Sequence, residues 1–129
     1  MAEPATREDQ ATATLAVIER FNAAFNRRDV DAIMAAMTED VVFENTGPAP
    51  DGERFAGQQA VRAFWERLFG AAPETVFTAE EAFATGDRCV VRWVYHWSGT
   101  GTTPGHVRGV DLFRVRDGKV AEKLSYVKG

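Results

Sequence analysis

Residues 110–127, VDLFRVRDGKVAEKLSYV, hold two runs in which apolar and charged side chains alternate, separated by Asp117 and Gly118. Alternation of this kind marks a strand with one buried face, and Asp-Gly between two such runs marks a hairpin turn. Asp111 breaks the pattern, because it shares a strand face with Phe113 and Val115. A carboxylate on an apolar face has to be paired, hydrogen-bonded or protonated, since desolvation penalises the ion heavily.

What Asp111 meets depends on the turn. A two-residue loop pairs Arg116 with Lys119 and sets Asp111 opposite Leu124. A type I turn with Gly118 in a bulge pairs Val115 with Lys119 and sets Asp111 opposite Lys123. The bulged turn is preferred, because it supplies a cation and puts Ser125 and Val127 on the same face. A slip of one residue would exchange every side chain between faces.

Working outward, residues 75–84, 88–98, 107–116 and 119–127 read as strands, joined by Thr85-Gly86-Asp87, by the longer loop SGTGTTPG and by Asp117-Gly118. Consecutive strands should therefore be antiparallel neighbours. Upstream, Leu15, Ile18, Phe21 and Phe25 recur every three or four residues and predict an amphipathic helix over 12–28. Asp29 can cap a short second helix carrying Val30, Ile33, Met34 and Met37. VVFEN at 41–45 predicts a short strand, GPAPDGERFAG a loop, and Val61, Phe64, Trp65 and Leu68 a third helix over 58–69, with Pro73 closing that region. Helices first and an antiparallel sheet afterwards is an α+β plan with helices on one face.

With 129 residues, 45% hydrophobic, the chain fits one domain with a real core, preceded by a flexible N-terminus over about residues 1–10. Nineteen acidic residues against 15 basic ones, without long blocks of one sign, argue against nucleic acid or an anionic membrane as partner. The polar start MAEPATREDQ is unlike a signal peptide, and the single Cys89 asks for no oxidising compartment, so a cytoplasmic protein is expected.

The pieces FNAAFNRRDVDAIMAAMTEDVVFEN, GQQAVRAFWERL and VDLFRVRDGKVAEKLSYV, in this order, resemble the nuclear transport factor 2-like superfamily, in particular SnoaL-like proteins and ketosteroid isomerases. The likeness runs from about Thr12 to Val127. It implies a cone: a curved antiparallel or mixed sheet wrapped against three helices of the N-terminal half, with a mostly apolar pocket open at one end and a homodimer formed through the sheet. Function varies widely on such folds. In ketosteroid isomerase one carboxylate moves the proton while a tyrosine and a protonated aspartate stabilise the enolate, a worked case of carboxyl tuning. Asp111 falls where the protonated aspartate belongs, and the alignment agrees with the bulged turn. The tyrosine is replaced by Phe21 and the proton-shuttling aspartate by Asn45, so neither hydrogen-bond donation nor base chemistry of that kind is available there. Glu44, one residue away, faces the opposite side of the strand.

Under this resemblance RCVVRWVYHW turns Val91, Trp93, Tyr95 and Trp97 inward and Arg92, Val94 and His96 outward. With Phe21, Phe25, Phe64 and Trp65, and with Asn45, Phe113 and Ser125, they are the expected ligand-binding residues around catalytic candidates Asp111, Tyr95 and Lys123. The same aromatics are equally able to be plain core. Trp93 and Tyr95 need hydrogen-bond partners if buried, and Asp111 is one such partner. An Asp111–Lys123 pair is either a structural ion pair fixing register, or a poised acid and base, or a lysine able to form a Schiff base with a carbonyl.

The expected function is thus acid/base chemistry without a cofactor on an apolar, carbonyl-containing molecule, of isomerase, cyclase or dehydratase type; the alternative is a non-catalytic ligand-binding or dimerisation domain. His96 and His106 are ten residues apart and form no metal-ligand pattern, so no metal is expected. Cys89 reads as a small buried side chain. GTGTTPG opens no helix, lacks phosphate-cradling geometry and reads as a loop at the cone's edge, a possible lid. Arg92, Arg108 and Arg114 share the outer sheet face, solvated or at a subunit interface.

Overall fold

The structure is a computed structural model that describes residues 6–71, 75–98 and 103–129. Its elements run α1 (Arg7–Asn26), α2 (Val30–Ala35), β1 (Met37–Glu44), β2 (Arg54–Ala56), α3 (Gln58–Ala71), β3 (Thr75–Thr85), β4 (Arg88–Trp97), β5 (Gly105–Arg116) and β6 (Lys119–Val127). The six strands form one open mixed sheet in the order β2-β1-β6-β5-β4-β3. The three helices cover its inner face, giving the α+β cone.

α1 starts five residues earlier than its apolar stripe suggests. Thr6 and Asp9 form a capping box, Thr6 Oγ1 accepting from the Asp9 amide and Asp9 from the Thr6 amide, which holds a polar first turn that periodicity cannot see. Residues 7–10 are therefore helical; residues 1–5 lie outside the described residues. Asp29 caps α2 as expected, its Oδ1 accepting from the Ala32 amide at 3.1 Å. The Pro/Gly-rich loop contains the three-residue β2, antiparallel to β1. Pro73 and residues 99–102 of the SGTGTTPG loop, the possible lid, lie outside the described residues.

β3 to β6 are sequential antiparallel neighbours, whereas β1 joins β6 in parallel. That pairing is the non-local step that completes the cone. The Val120 amide donates to the Ala36 carbonyl at 2.8 Å, so the end of α2 grips the start of β6.

The Asp117-Gly118 turn takes the two-residue register at its own end, but neither partner expected for Asp111 is found. The turn is the tight two-residue form, both central residues having positive φ (53° and 73°), and it pairs Arg116 with Lys119. The extra residue lies inside β6: the register shifts between Val115↔Val120 and Arg114↔Glu122, leaving Ala121 as a bulge. Asp111 therefore pairs with Ser125, not with Leu124 or Lys123, and Phe113 pairs with Lys123. The shift restores the parity that the bulged turn would have given, so Asp111, Lys123 and Ser125 share the inner face.

The core lies between this face and the helices: Ile18, Phe21, Ile33, Val41, Val61, Trp65, Val91, Phe113 and Val120 are buried. On the outer face Arg92, Arg108 and Arg114 pair with Glu81, Glu80 and Asp87. Val94, expected to face outward, does so but is buried between its registered neighbours Thr78 and Arg108. No helix among the described residues is long and apolar enough to cross a membrane.

Candidate functional site

Between the inner face of the sheet and α1 and α3 lies a cavity of about 280 Å³, near the lower end of the size range of small-molecule sites. Its walls are aromatic, with Phe25 from α1, Phe64 and Trp65 from α3, Phe43 from β1, Phe77 from β3, and Trp93 and Tyr95 from β4. Leu68 and Val107 complete the apolar surface, while Asn45, Thr46, Asp111, Lys123 and Ser125 supply polar atoms.

The sheet register explains the polar cluster. Across one row, Phe43, Lys123 and Phe113 are direct neighbours; along the next, Asp111 faces Ser125. The Lys123 ammonium therefore sits over three rings, 4.9 Å from the centre of Phe43, 5.6 Å from Trp65 and 6.0 Å from Phe113. Its Nζ donates to Ser125 Oγ at 2.9 Å, and Ser125 Oγ donates to Asp111 Oδ1 at 2.7 Å. Asp111 Oδ2 lies 3.4 Å from Lys123 Nζ and makes no hydrogen bond. Asp111 is 1% and Lys123 8% exposed. A buried pair of this sort is often no more stabilising than well-packed apolar side chains. Chemically, the arrangement offers a carboxylate oxygen with spare acceptor capacity beside an ammonium with spare N–H donors.

Four residues expected to touch ligand are placed elsewhere. Phe21 is one helical turn before Phe25 and packs edge-on against Phe113, their centroids 5.7 Å apart, in the closed end of the core. Val91 and Phe113 are fully buried in that same layer, Val91 being registered against Asp111. Trp97 lies at the end of β4 with its ring over Gly105 and its indole nitrogen donating to the Thr103 carbonyl at 2.8 Å. Trp93 and Tyr95 line the cavity but do not bond to Asp111: the Tyr95 hydroxyl donates to Thr75 Oγ1 at 2.8 Å, and Trp93 Nε1 has no partner.

Phe43, Thr46, Leu68, Phe77 and Val107 were not anticipated. Signals for two of them were in the sequence, since Phe43 has the parity of Asn45 and Leu68 extends the Phe64–Trp65 stripe by one turn. Phe77 and Val107 needed the register of β3 and β5 against β4.

Elsewhere, burial pushes the Cys89 thiol up to about 11, with the nearby Glu19 charge adding to it, so thiolate chemistry is disfavoured. His96 and His106 are opposite one another across β4 and β5, with ring centroids 5.5 Å apart, exposed on the outer face. No group of three or more metal-ligating side chains occurs among the described residues.

Comparison with known proteins now adds to this geometry. Residues 18–123 match the family model of the SnoaL-like domain. A crystal structure of an NTF2-like protein of unknown function from Mesorhizobium loti is 40% identical, covers 98% of each chain and superposes with a TM-score of 0.81. A candidate polyketide cyclase from Xanthomonas campestris is 24% identical over 92% of this chain and 93% of that one, with a TM-score of 0.75. A candidate ketosteroid isomerase from Kribbella flavida is 20% identical over 93% and 81%, with a TM-score of 0.77. The last two share the fold alone. No curated protein matches the chain. With the family model spanning most of its length and a relative of this identity matched nearly end to end, the chain belongs to the SnoaL-like family of the NTF2-like superfamily.

Proposed function

We propose that this protein is a cofactor-independent acid/base catalyst that removes a proton next to the carbonyl of an apolar, ring-containing molecule. The observation that carries the reading is the Asp111–Ser125–Lys123 chain lining an aromatic cavity, with Asp111 Oδ2 free of hydrogen bonds. Aromatic walls favour a flat ligand. A substrate carbonyl oxygen accepts from Lys123 Nζ, and Asp111 Oδ2, 3.4 Å from that nitrogen and buried until a side chain of the cavity wall shifts with the ligand, takes the proton from the adjacent carbon. The separation suits the job, since a carbonyl oxygen and a neighbouring C–H are similarly close. Charge moves from Asp111 onto the enolate oxygen beside a fixed ammonium, which is electrostatic stabilisation where charge develops. Ser125 holds Oδ1 and so fixes which carboxylate oxygen is free. Returning the proton to a different carbon isomerises the substrate; attack of the enolate carbon on a second carbonyl cyclises it. Tyr95, tied to Thr75, acts as wall and not as proton donor.

The test is hydrogen–deuterium exchange at the activated carbon of 2-tetralone, a two-ring ketone, followed by NMR. Wild type should accelerate exchange above buffer, and Asp111→Asn should remove about 10²-fold or more of that acceleration. Equal rates for the two proteins would dismiss Asp111 as the base. Tetralone bound but not exchanged by wild type would favour the ligand-binding alternative, to which the replacement of two isomerase side chains by Phe21 and Asn45 also inclines.

The partner surface is the outer sheet face, where Val76, Phe83 and Tyr126 are 57%, 56% and 50% exposed. Large apolar side chains left on a sheet face are a basis for a two-fold homodimer. Sedimentation velocity should show a dimer that Tyr126→Glu dissociates; a monomer for the wild type at tens of micromolar would rule this out.

A further inference from the structure

Arg28 holds a second polar pole of the cavity. It follows the C-cap of α1 in the left-handed conformation, with φ +58°, and completes a Schellman closure: its amide donates to Phe25 O at 3.0 Å and the Asp29 amide to Ala24 O at 3.2 Å. Glycine is the residue favoured there, yet the position keeps a long cationic side chain. That side chain turns back over Phe69, 5.4 Å from the ring centre, and its Nη2 donates to the Thr75 carbonyl at 3.0 Å and to Thr75 Oγ1 at 2.7 Å. Nη1 is buried with no hydrogen-bond partner, and no carboxylate among the described residues pairs with the guanidinium. A buried, permanently charged nitrogen without a partner is costly and calls for an acceptor.

The space beside it has room for one. Arg28, Thr75, Phe25, Phe77 and Tyr95 border a void of about 10 Å³, enough for a single oxygen or water. Phe25, Phe77 and Tyr95 also line the main cavity, so the two spaces share these three side chains as walls. Along β4, Tyr95, which borders the void, is four residues or about 13 Å of strand from Val91, the registered partner of Asp111.

We propose that Arg28 is an anion-recognition residue, its Nη1 taking one oxygen of a carboxylate or similar oxyanion carried by the ring-bearing ligand, so that the cavity selects aromatic acids over their neutral counterparts. The inference rests on the cavity being a ligand site. Its specific content is the charge preference and the residue that sets it.

Calorimetric titration with 2-naphthoate and with the isosteric, uncharged 2-naphthamide tests it. Wild type should bind the acid roughly tenfold or more tightly than the amide, as expected of one charge-assisted hydrogen bond in a buried site. Arg28→Gly suits the left-handed backbone; it should reduce the preference below about threefold, with the loss falling mainly on the acid. Asp111→Leu/Lys123→Met, which removes the charges of the other pole, should retain the preference. A preference that survives Arg28→Gly, or that disappears in the double variant, locates the anion at Lys123 and overturns the Arg28 proposal while leaving the cavity reading intact. Equal binding of acid and amide by wild type overturns it in the same way. Binding of neither probe by wild type defeats both this inference and the cavity reading.

Discussion

Replacing Asp111 and Lys123 separately and together asks whether the buried charges are there for stability. In Lys123→Met, Asp111 keeps Ser125 on Oδ1 but loses the cation 3.4 Å from Oδ2, at 1% exposure. Removing one member of a buried pair costs about 3–5 kcal/mol; the adjoining cavity admits water, which argues for the lower end, about 3 kcal/mol. Asp111→Leu leaves an ammonium that still has Ser125 and three aromatic faces, so about 2 kcal/mol is expected. In the double variant the leucine and methionine face Phe43, Trp65 and Phe113 with no ion to desolvate, and stability should return to within about 1 kcal/mol of wild type. The coupling between the sites is then on the order of 4 kcal/mol. For a domain of this size 1 kcal/mol is roughly 3–5 °C in Tm, so calorimetry should show each single variant melting clearly lower and the double variant near wild type. Exchange activity on the ketone should be lost in all three. A double variant as unstable as the two losses added would refute the reasoning, because the pair would then be holding the fold together and chemistry would no longer be needed to explain it.

Other consequences can be measured independently. Gly109→Ala would put a Cβ 2.2 Å from the Tyr126 carbonyl oxygen and 2.5 Å from Cζ2 of Trp93; with backbone on one side the clash should cost about 2–3 kcal/mol and shift the near-ultraviolet dichroism of Trp93, and a wild-type melting curve would contradict it. Cys89, its thiol raised to about 11 by burial, should resist a thiol reagent at pH 8 in the native state and react once unfolded. Since its folded value lies above the unfolded one, its contribution to stability is complete below the ordinary thiol range and lost as pH climbs towards 11; Cys89→Ala should flatten that alkaline limb. Hydrogen bonds from Arg116 and Thr38 hold the Asp40 carboxyl below its ordinary value, so its contribution exists above the unfolded carboxylate range and fades as pH falls through the folded value. The stability gap between wild type and Arg116→Gln should therefore narrow in acid; a gap independent of pH would count against the pair.

The elements were legible where a local period sets them. Alternation in β3 to β6 and the apolar stripes of α1 and α3 are properties of the chain itself, and the Asp-Gly turn adds its own backbone preference. Two features escaped because they are decided at a distance. The parallel pairing of β1 with β6 has no local sequence signal, and neither has the bulge at Ala121, which adjoins Val120, the residue held by Met37 and the Ala36 carbonyl on the other edge. The extra residue in β6 is taken up against β5, where Val120 and Ala121 are both buried, while against β1 the irregularity lies between Met37 and Val42. The position of Asp111 shows how this reaches the site. Its carboxylate was conspicuous as a charge among apolar neighbours, but its partners depended on the bulge, which brought Ser125 opposite and carried Lys123 to the diagonal, where it bonds through the serine and keeps N–H groups to spare. A bulge in the turn would have set Lys123 directly across from Asp111, favouring a closed ion pair with no free oxygen. The strand bulge instead leaves Oδ2 without a hydrogen bond, and the proposed proton transfer depends on that oxygen.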